Sequence, residues 1–461
     1  MAARNETVAV IGGGLVGCLA ALGLARKGYP VTVFEMRGDP RNDVAKQGSL
    51  RSINLAVSDR GIRALKYVDE AMAYRVLEDI IPMTGRMIHD LAGNQESQQY
   101  GLYGEAINSI DRRQLNIRLL EECENINKEL GKTMVDLRFH SKLDDLKMGE
   151  KVTIISNGES FQFDFIVGCD GAYSATRSKL QKHVRMNYKQ EYIDTCYVEL
   201  SIPAGPNGEF LIDANHLHIW PRHEFMLIAL ANHDRSFTST FFGPWGLVEK
   251  NLDTGAKALE FFKSQFPDAL KIIGHERIVS AFDNHPRGAL MQVNCDPYHF
   301  SDKAILLGDA AHSMVPFYGQ GMNCGFEDVR ILLTLLDESS SGRSAAFEKY
   351  TELRKDDLKA ILKLALDNYK EMSHKVVSPW FLLRKKVDAL LCRTLGDRWL
   401  PLYTMVSFRG DIGYAEAIRR EELHERILKK LEFGALAAVI FGLSRLVPLT
   451  VWDRVIKRLL N

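Results

Sequence analysis

Three short stretches of this chain gather residues suited to holding a nucleotide. In the first, Gly12, Gly14 and Gly17 follow the apolar run VAVI in G-x-G-x-x-G spacing, with Leu15 and Val16 between them. One glycine permits a tight turn, one lets the backbone approach a pyrophosphate, and one lets the next helix pack on its strand. Glu35 ends the next apolar run about twenty residues on, where a carboxylate can accept from an adenosine ribose, and Arg37 follows it. In the second, FDFIVGCDGAYSATR, an apolar run meets Asp170-Gly171, with Ser174 and Arg177 at one-turn spacing. The third is GDAAHSMVPFYGQGMN, Gly308 to Asn323. Asp309 stands where a strand ends and is placed to accept from a sugar-like hydroxyl, while Pro316 and Phe317 are rigid apolar groups that can wall a pocket. Gly319, Gly321, Met322 and Asn323 then open a helix, whose free N–H groups and partial positive charge suit a ring that becomes anionic on reduction. Singly, each stretch also reads as an ordinary turn between a strand and a helix.

These residues need alternating strands and helices to position them. Residues 1–195 and 290–370 carry that alternation and predict a parallel sheet in a Rossmann-like α/β domain. Between them, residues 196–289 hold HLHIWPR, FMLIALAN and SFTSTFFG, short β-rich runs that predict an inserted antiparallel sheet able to roof a substrate cavity. Residues 371–430 read as helical and basic, closing the pocket, and 431–461 as an apolar tail with basic flanks. Lys plus Arg equals Asp plus Glu at 59 each among 461 residues, so no charge excess points to nucleic acid. The seven Cys are scattered singly, as in reduced, cytosol-facing proteins. No cleavable leader is expected ahead of a nucleotide motif that starts at residue 12. No Ser/His/Asp or metal-ligand constellation stands out, and His312 reads as structural, so the chemistry falls to a cofactor.

In this order the three stretches resemble those of the FAD-dependent aromatic hydroxylases, the single-component flavoprotein monooxygenases. That resemblance implies non-covalent FAD, NADPH as a transient co-substrate without its own Rossmann unit, and oxygen transfer from a flavin hydroperoxide formed with O2. Gly12, Gly14, Leu15, Val16, Gly17, Glu35 and Arg37 would hold the ADP half, with Arg112 near the pyrophosphate or the flavin edge. Asp170 would serve FAD and NADPH jointly. Asp309, Pro316, Gly319, Gly321, Met322 and Asn323 would hold the ribityl chain and flavin edge.

Further strings, RSINLAVSDRG, GRMIHD, INSIDRRQLN, LHIWPR, PFYGQGMN and NYKEMS, are similar to those of the kynurenine-hydroxylating branch. The resemblance then implies L-kynurenine as substrate and a place in tryptophan degradation and NAD synthesis. Arg86 would grip the substrate carboxylate with Tyr100 beside it. Asn368 and Tyr403 would lie at the amino-acid end, with Glu371 and Met372 behind them or on a lid. Leu217, Met226, Ile228, Leu230, Thr240, Phe242, Pro316 and Phe317 would form the aromatic wall. Tyr318 stands where relatives carry His or Phe and has no assigned role. The tail is expected to attach to the outer mitochondrial membrane on its cytosolic face, as in eukaryotic members. Two alternatives stay open: another hydroxylase or reductase of this fold, and a non-catalytic binding protein resembling the GDP-dissociation inhibitors. Asp309 and the Gly319–Asn323 loop argue against the second.

Overall fold

The computed structural model describes residues 5–42, 54–373 and 378–446, with side chains of the last helix described to Gly434. The first three residues of RSINLAVSDRG, 51–53, and residues 447–461 of the tail lie outside this set. The architecture is the α/β arrangement expected: a parallel sheet, an antiparallel second sheet and a helical C-terminal region. Among the described residues the first sheet runs, in spatial order, through His299–Phe300, Ala304–Leu306, Phe165–Gly168, Val8–Ile11, Val31–Phe34 and Val135–Arg138. Its strands VAVI and FIVG are buried at every position, the pattern of a parallel sheet covered on both faces. Val8–Ile11 pairs in parallel with Phe165–Gly168 on one side and Val31–Phe34 on the other. The carboxyl ends of four adjacent strands therefore lead into Asp309, Asp170, Gly12 and Glu35. Motifs some three hundred residues apart become neighbours through this strand order, at the edge where such sheets bind ligands.

The second sheet has the order Gly288–Asp296, Asn187–Ile202, Phe237–Gly243, Phe225–Ala231, His216–Arg222, Gly85–His89, Gln95–Gln99. It takes strands from outside the 196–289 interval, because Gly85–His89 adds in parallel to His216–Arg222, with Leu217 opposite Arg86. Strand alternation divides its side chains between two cores. Ile219, Met226, Ile228, Leu230 and Phe242 join the core of the nucleotide domain. Trp220, Leu227, Ala229 and Phe241 point the other way, onto the helices between Trp245 and Asn284. Burying each large apolar side chain stabilises by roughly 1.5–3 kcal/mol, which fixes the register. The polar-looking strand Gly85–His89 is held from behind, where His89 Nε2 meets His218 Nδ1 at 2.8 Å and His89 Nδ1 meets Asp268 Oδ2 at 2.9 Å. Burial pushes His218 down to about 4, so it is neutral there.

The long helix Arg343–Ser373 carries Asn368 to the pocket, and the helices Pro379–Leu395, Leu402–Ser407 and Tyr414–Leu446 follow it.

Candidate active site

The nucleotide cradle is built mainly from backbone. Gly12 adopts φ +104°, and a Cβ there would lie 2.5 Å from the Cys169 carbonyl oxygen. A Cβ on Gly17 would stand 1.9 Å from the Gly12 carbonyl oxygen, whereas one on Gly14 would meet nothing within 4 Å. The first two positions thus close the turn against its neighbours, and the third is the open side that a pyrophosphate can approach. Glu35 accepts from the Gly13 N–H at 2.8 Å and the Arg37 N–H at 2.9 Å, so its carboxylate sits at the mouth of the turn. Leu15 is buried, and Val16 lies beneath the Gly308 turn, 3.0 Å from where a Cβ on Gly308 would be. Arg37 and Arg112 are exposed, Arg112 at the head of the helix Arg112–Leu130.

The Asp170 carboxylate is used by its own loop. It accepts from Ser174 Oγ at 2.5 Å, Thr176 N at 2.9 Å and Thr176 Oγ1 at 3.0 Å. Arg177 reaches from there to the Ala310 carbonyl at 2.8 Å, tying the second motif to the third. Asp328 supports the same turn from below, accepting from Gly308 N at 3.0 Å and Arg354 Nε at 2.9 Å, and meeting His312 Nε2 at 2.5 Å. Burial works against that carboxylate, and His312 and Arg354 more than offset it, holding its pKa below the usual value. His312 is therefore part of the scaffold. Asp309 is half-buried at the start of its helical turn, and its carboxylate makes no hydrogen bond or ion pair with the described residues. Gly319 follows with φ +66°, and the helix Gly321–Glu338 begins at once. Asn323 spends its side chain on the scaffold, donating to Ala56 O at 2.7 Å and Gly319 O at 2.8 Å and accepting from Ser58 N at 2.8 Å. The first N–H groups of this helix, at Gly321, Met322 and Asn323, have no intrahelical acceptor and are the donors left for a ligand. Open cradle, unpaired Asp309 and free helix N-terminus all fit FAD.

Across the Pro316–Tyr318 turn lies a cavity of about 60 Å³. Its polar end joins one antiparallel pair of strands to the C-terminal region: Arg86 on the strand Gly85–His89, Tyr100 just past its partner Gln95–Gln99, and Tyr403 on the helix Leu402–Ser407. Tyr100 and Tyr403 stack with centroids 4.8 Å apart at 9°, and Tyr318 stacks on Tyr403 at 5.6 Å. The Arg86 guanidinium stands 5.1 Å from the Tyr403 ring centre and 2.7 Å from Glu371 Oε1. Burial opposes the Arg86 charge, but Glu371 and the tyrosines more than offset it, so its pKa is raised and it stays cationic. Burial pushes the phenols of Tyr100, Tyr318 and Tyr403 up, keeping them protonated. Two buried donors here are unsatisfied: Arg86 Nε, and the Tyr100 hydroxyl, which lies near Tyr403 and Arg86 without a well-formed hydrogen bond to either. Leaving a buried donor unpaired costs about 1–3 kcal/mol. A ligand carboxylate, which only accepts, satisfies both.

The apolar end is walled by Leu217, Ile228, Leu230 and Phe242 from the sheet, with Pro316, Phe317 and Met372 opposite. Phe317 packs on Phe242 at 5.1 Å and on Tyr369 at 4.4 Å. Asn368 props this wall, donating through Nδ2 to the Phe317 carbonyl at 2.7 Å. Met226 and Thr240 share the sheet face but are fully buried beside the cavity rather than lining it. Asn54, Ala56 and Ile107 line it without having been singled out, and so does Tyr318, to which no role was assigned. The first two lie in RSINLAVSDRG, a string whose individual residues had no assigned task. Lys385, on the helix Pro379–Leu395, was also missed. Burial, then Arg86, push it down to about 8, against Glu371 and Glu96.

Residues 5–365 match the model of an FAD binding domain family. The chain is 54% identical over 463 residues to kynurenine 3-monooxygenase of Debaryomyces hansenii, covering 96% of each chain. It is 55% identical over 459 residues to kynurenine 3-monooxygenase of Candida albicans, covering 98% of each. Among solved structures, the tetrameric form of 2-methyl-3-hydroxypyridine-5-carboxylic acid oxygenase superposes with a TM-score of 0.64 at 18% identity. That match covers 82% of this chain and 95% of the other, and it speaks for the fold alone.

Proposed function

The chain belongs to the kynurenine 3-monooxygenase family, and from that membership we propose that it converts L-kynurenine to 3-hydroxy-L-kynurenine with FAD, NADPH and O2. The observation that carries this reading is the pair of unsatisfied buried donors, Arg86 Nε and the Tyr100 hydroxyl, at one end of an apolar slot beside the flavin cradle. Held by the Gly12–Gly17 turn, Asp309 and the helix N-terminus at Gly321, FAD would supply the redox chemistry, by which NADPH is oxidised and one atom of O2 enters the ring while the other is released as water. The chain's own residues bind, orient and dry the substrate. Arg86 Nε and the Tyr100 hydroxyl take the substrate carboxylate while Arg86 Nη1 is held by Glu371, and Leu217, Ile228, Phe242 and Phe317 hold the ring toward the cradle. The polar residues lining the slot are Asn, Arg and Tyr, none of them a base at neutral pH. That suits a ring already activated by its own amino group. NADPH consumption by the FAD-loaded protein should rise on addition of L-kynurenine and yield 3-hydroxykynurenine. Stimulation by simple phenols but not by kynurenine would instead favour another hydroxylase of this fold.

The tail, residues 431–461, we assign to attachment at the cytosolic face of the outer mitochondrial membrane. FGALAAVIFGL, residues 433–443, carries no charge. Trp380 and Leu390, on the helix Pro379–Leu395, are 79% and 62% exposed, exposed apolar groups that suit an interface. Among the described residues no helix is long and apolar enough to cross a membrane. Truncation after Lys430 should move the protein from the membrane fraction to the soluble one with its FAD spectrum intact. A full-length protein recovered without detergent would overturn the assignment.

A further inference from the structure

Arg60 lies on the helix Asp59–Val68, only 2% exposed, and does not line the substrate cavity. Its guanidinium joins two parts of the chain that are remote in sequence. Nη1 donates to Glu327 Oε1 at 2.9 Å, on the helix whose N-terminus faces the cradle. The other two nitrogens go to main-chain carbonyls of the C-terminal segment: Nε to Val406 at 3.0 Å, and Nη2 to Arg409 at 3.4 Å and to Ile412. The Tyr414 ring centre lies 3.9 Å from Cζ. Asp59 extends the grip, accepting from the Gly410 N–H at 2.9 Å.

The Val406 carbonyl sits at the end of the short helix Leu402–Ser407, where no intrahelical donor remains for it, and the Arg409 and Ile412 carbonyls lie in the turn beyond, where Arg409 also accepts from the Ile412 N–H at 3.0 Å. Tyr403 is on that same helix, one turn before Val406. A planar guanidinium with five donors can serve a carboxylate and several carbonyls at once, while an ammonium on a flexible stem cannot hold that geometry. We propose that Arg60 is a positioning residue for the hydroxylation: it locks the segment from Leu402 to Tyr414 against the flavin-side helix. Tyr403 is thereby set in register with Arg86 and Tyr100. The inference rests on the kynurenine reading for its consequence and on geometry alone for the lock. A displacement of about 1 Å at a site of this kind costs roughly a hundredfold in rate or binding.

The test uses the full-length, FAD-loaded protein. Arg60→Lys keeps the charge beside Glu327 but loses the fork. It should raise the KM for L-kynurenine roughly tenfold or more and increase the share of NADPH consumed without product, with FAD content per chain unchanged. Amide hydrogen exchange across 402–415 should quicken in the same variant. Arg343→Lys weakens a different ion pair, with Glu6 and Asp302, and should leave both readouts alone. Asp59→Ala, at the more exposed half of the grip, should shift both in the same sense by less, and it decides the matter if Arg60→Lys does not fold. Unchanged KM in a folded Arg60→Lys protein, or exchange across 402–415 no faster than in the parent, overturns the proposal. If the parent itself fails to respond to kynurenine, the functional reading falls, while the exchange comparison still decides the lock.

Discussion

The two halves of the site are made in opposite ways. The nucleotide cradle is mostly backbone: turns closed by the absence of a Cβ at Gly12 and Gly17, free N–H groups at Gly321–Asn323, and only the carboxylates of Glu35 and Asp309 added to them. The substrate slot is side chain: Arg86 with three tyrosines, and an apolar wall drawn from the sheet and the Pro316–Tyr318 turn. Each cradle motif is contiguous in sequence, and a regular strand order brings the motifs together. The slot's polar end joins Arg86 and Tyr100, on one pair of strands, to Tyr318 and Tyr403 from much later segments, so its geometry depends on long-range packing. Sites made from backbone should fail through steric closure, and sites made from side chains through loss of individual partners.

The largest expected effect tests the steric half. Gly17→Ala places a methyl group 1.9 Å from a main-chain oxygen that cannot swing away. It should cost about 3 kcal/mol or more by overpacking, read as lost FAD and a lowered unfolding temperature. Gly14→Ala sharpens the contrast, since its methyl group meets nothing within 4 Å; the apoprotein should keep its stability while FAD binds more weakly. If both variants behave alike, the cradle is not divided as described.

Arg86→Met is next and addresses the slot alone. Removing one member of a buried charged pair costs about 2–5 kcal/mol. The kynurenine concentration needed for NADPH consumption should rise by two orders of magnitude or so, with FAD affinity unchanged. A parallel fall in both affinities would show that the halves are not separable. Asp309→Ala reverses the pattern, weakening FAD by roughly 1–3 kcal/mol through a lost hydrogen bond to a charged acceptor. Fluorescence titration with FAD measures it, and an unchanged affinity would remove Asp309 from the cradle.

A pH-dependent effect concerns Lys385, pushed from 10.5 down to about 8 by burial and then by Arg86. Between those values the unfolded chain holds a proton that the folded chain has released. Stability should therefore rise with pH across that window, by at most about 1.4 kcal/mol per pH unit. Lys385→Met should remove the rise in urea midpoints measured from pH 7.5 to 10. An identical slope in parent and variant would mean that Lys385 titrates normally.

The same division explains what the sequence made legible. Apolar runs ending in Gly or Asp announced the parallel sheet and its ligand edge, because each motif is local and its strands are buried on both faces. The strand Gly85–His89 was not evident from pattern: GRMIHD has no clean alternation, and it joins the second sheet through His89, His218 and Asp268 on the hidden face. Resemblance pointed to Arg86, Tyr100 and Tyr403, and the fold brings them together. Nothing local marked Tyr318 as their neighbour, since stacking on Tyr403 arises only once the C-terminal helices have docked. The uses of Asp170 and Asn323 inside their own loops were likewise invisible, because a capping carboxylate and a ligand-binding one look the same in sequence.

Turnover of L-kynurenine under ¹⁸O₂ by the FAD-loaded full-length protein tests the central claim most directly. The expected result is 3-hydroxy-L-kynurenine carrying one labelled oxygen, formed in step with NADPH consumed. Unlabelled product, or NADPH consumed with hydrogen peroxide as the sole outcome, would contradict it.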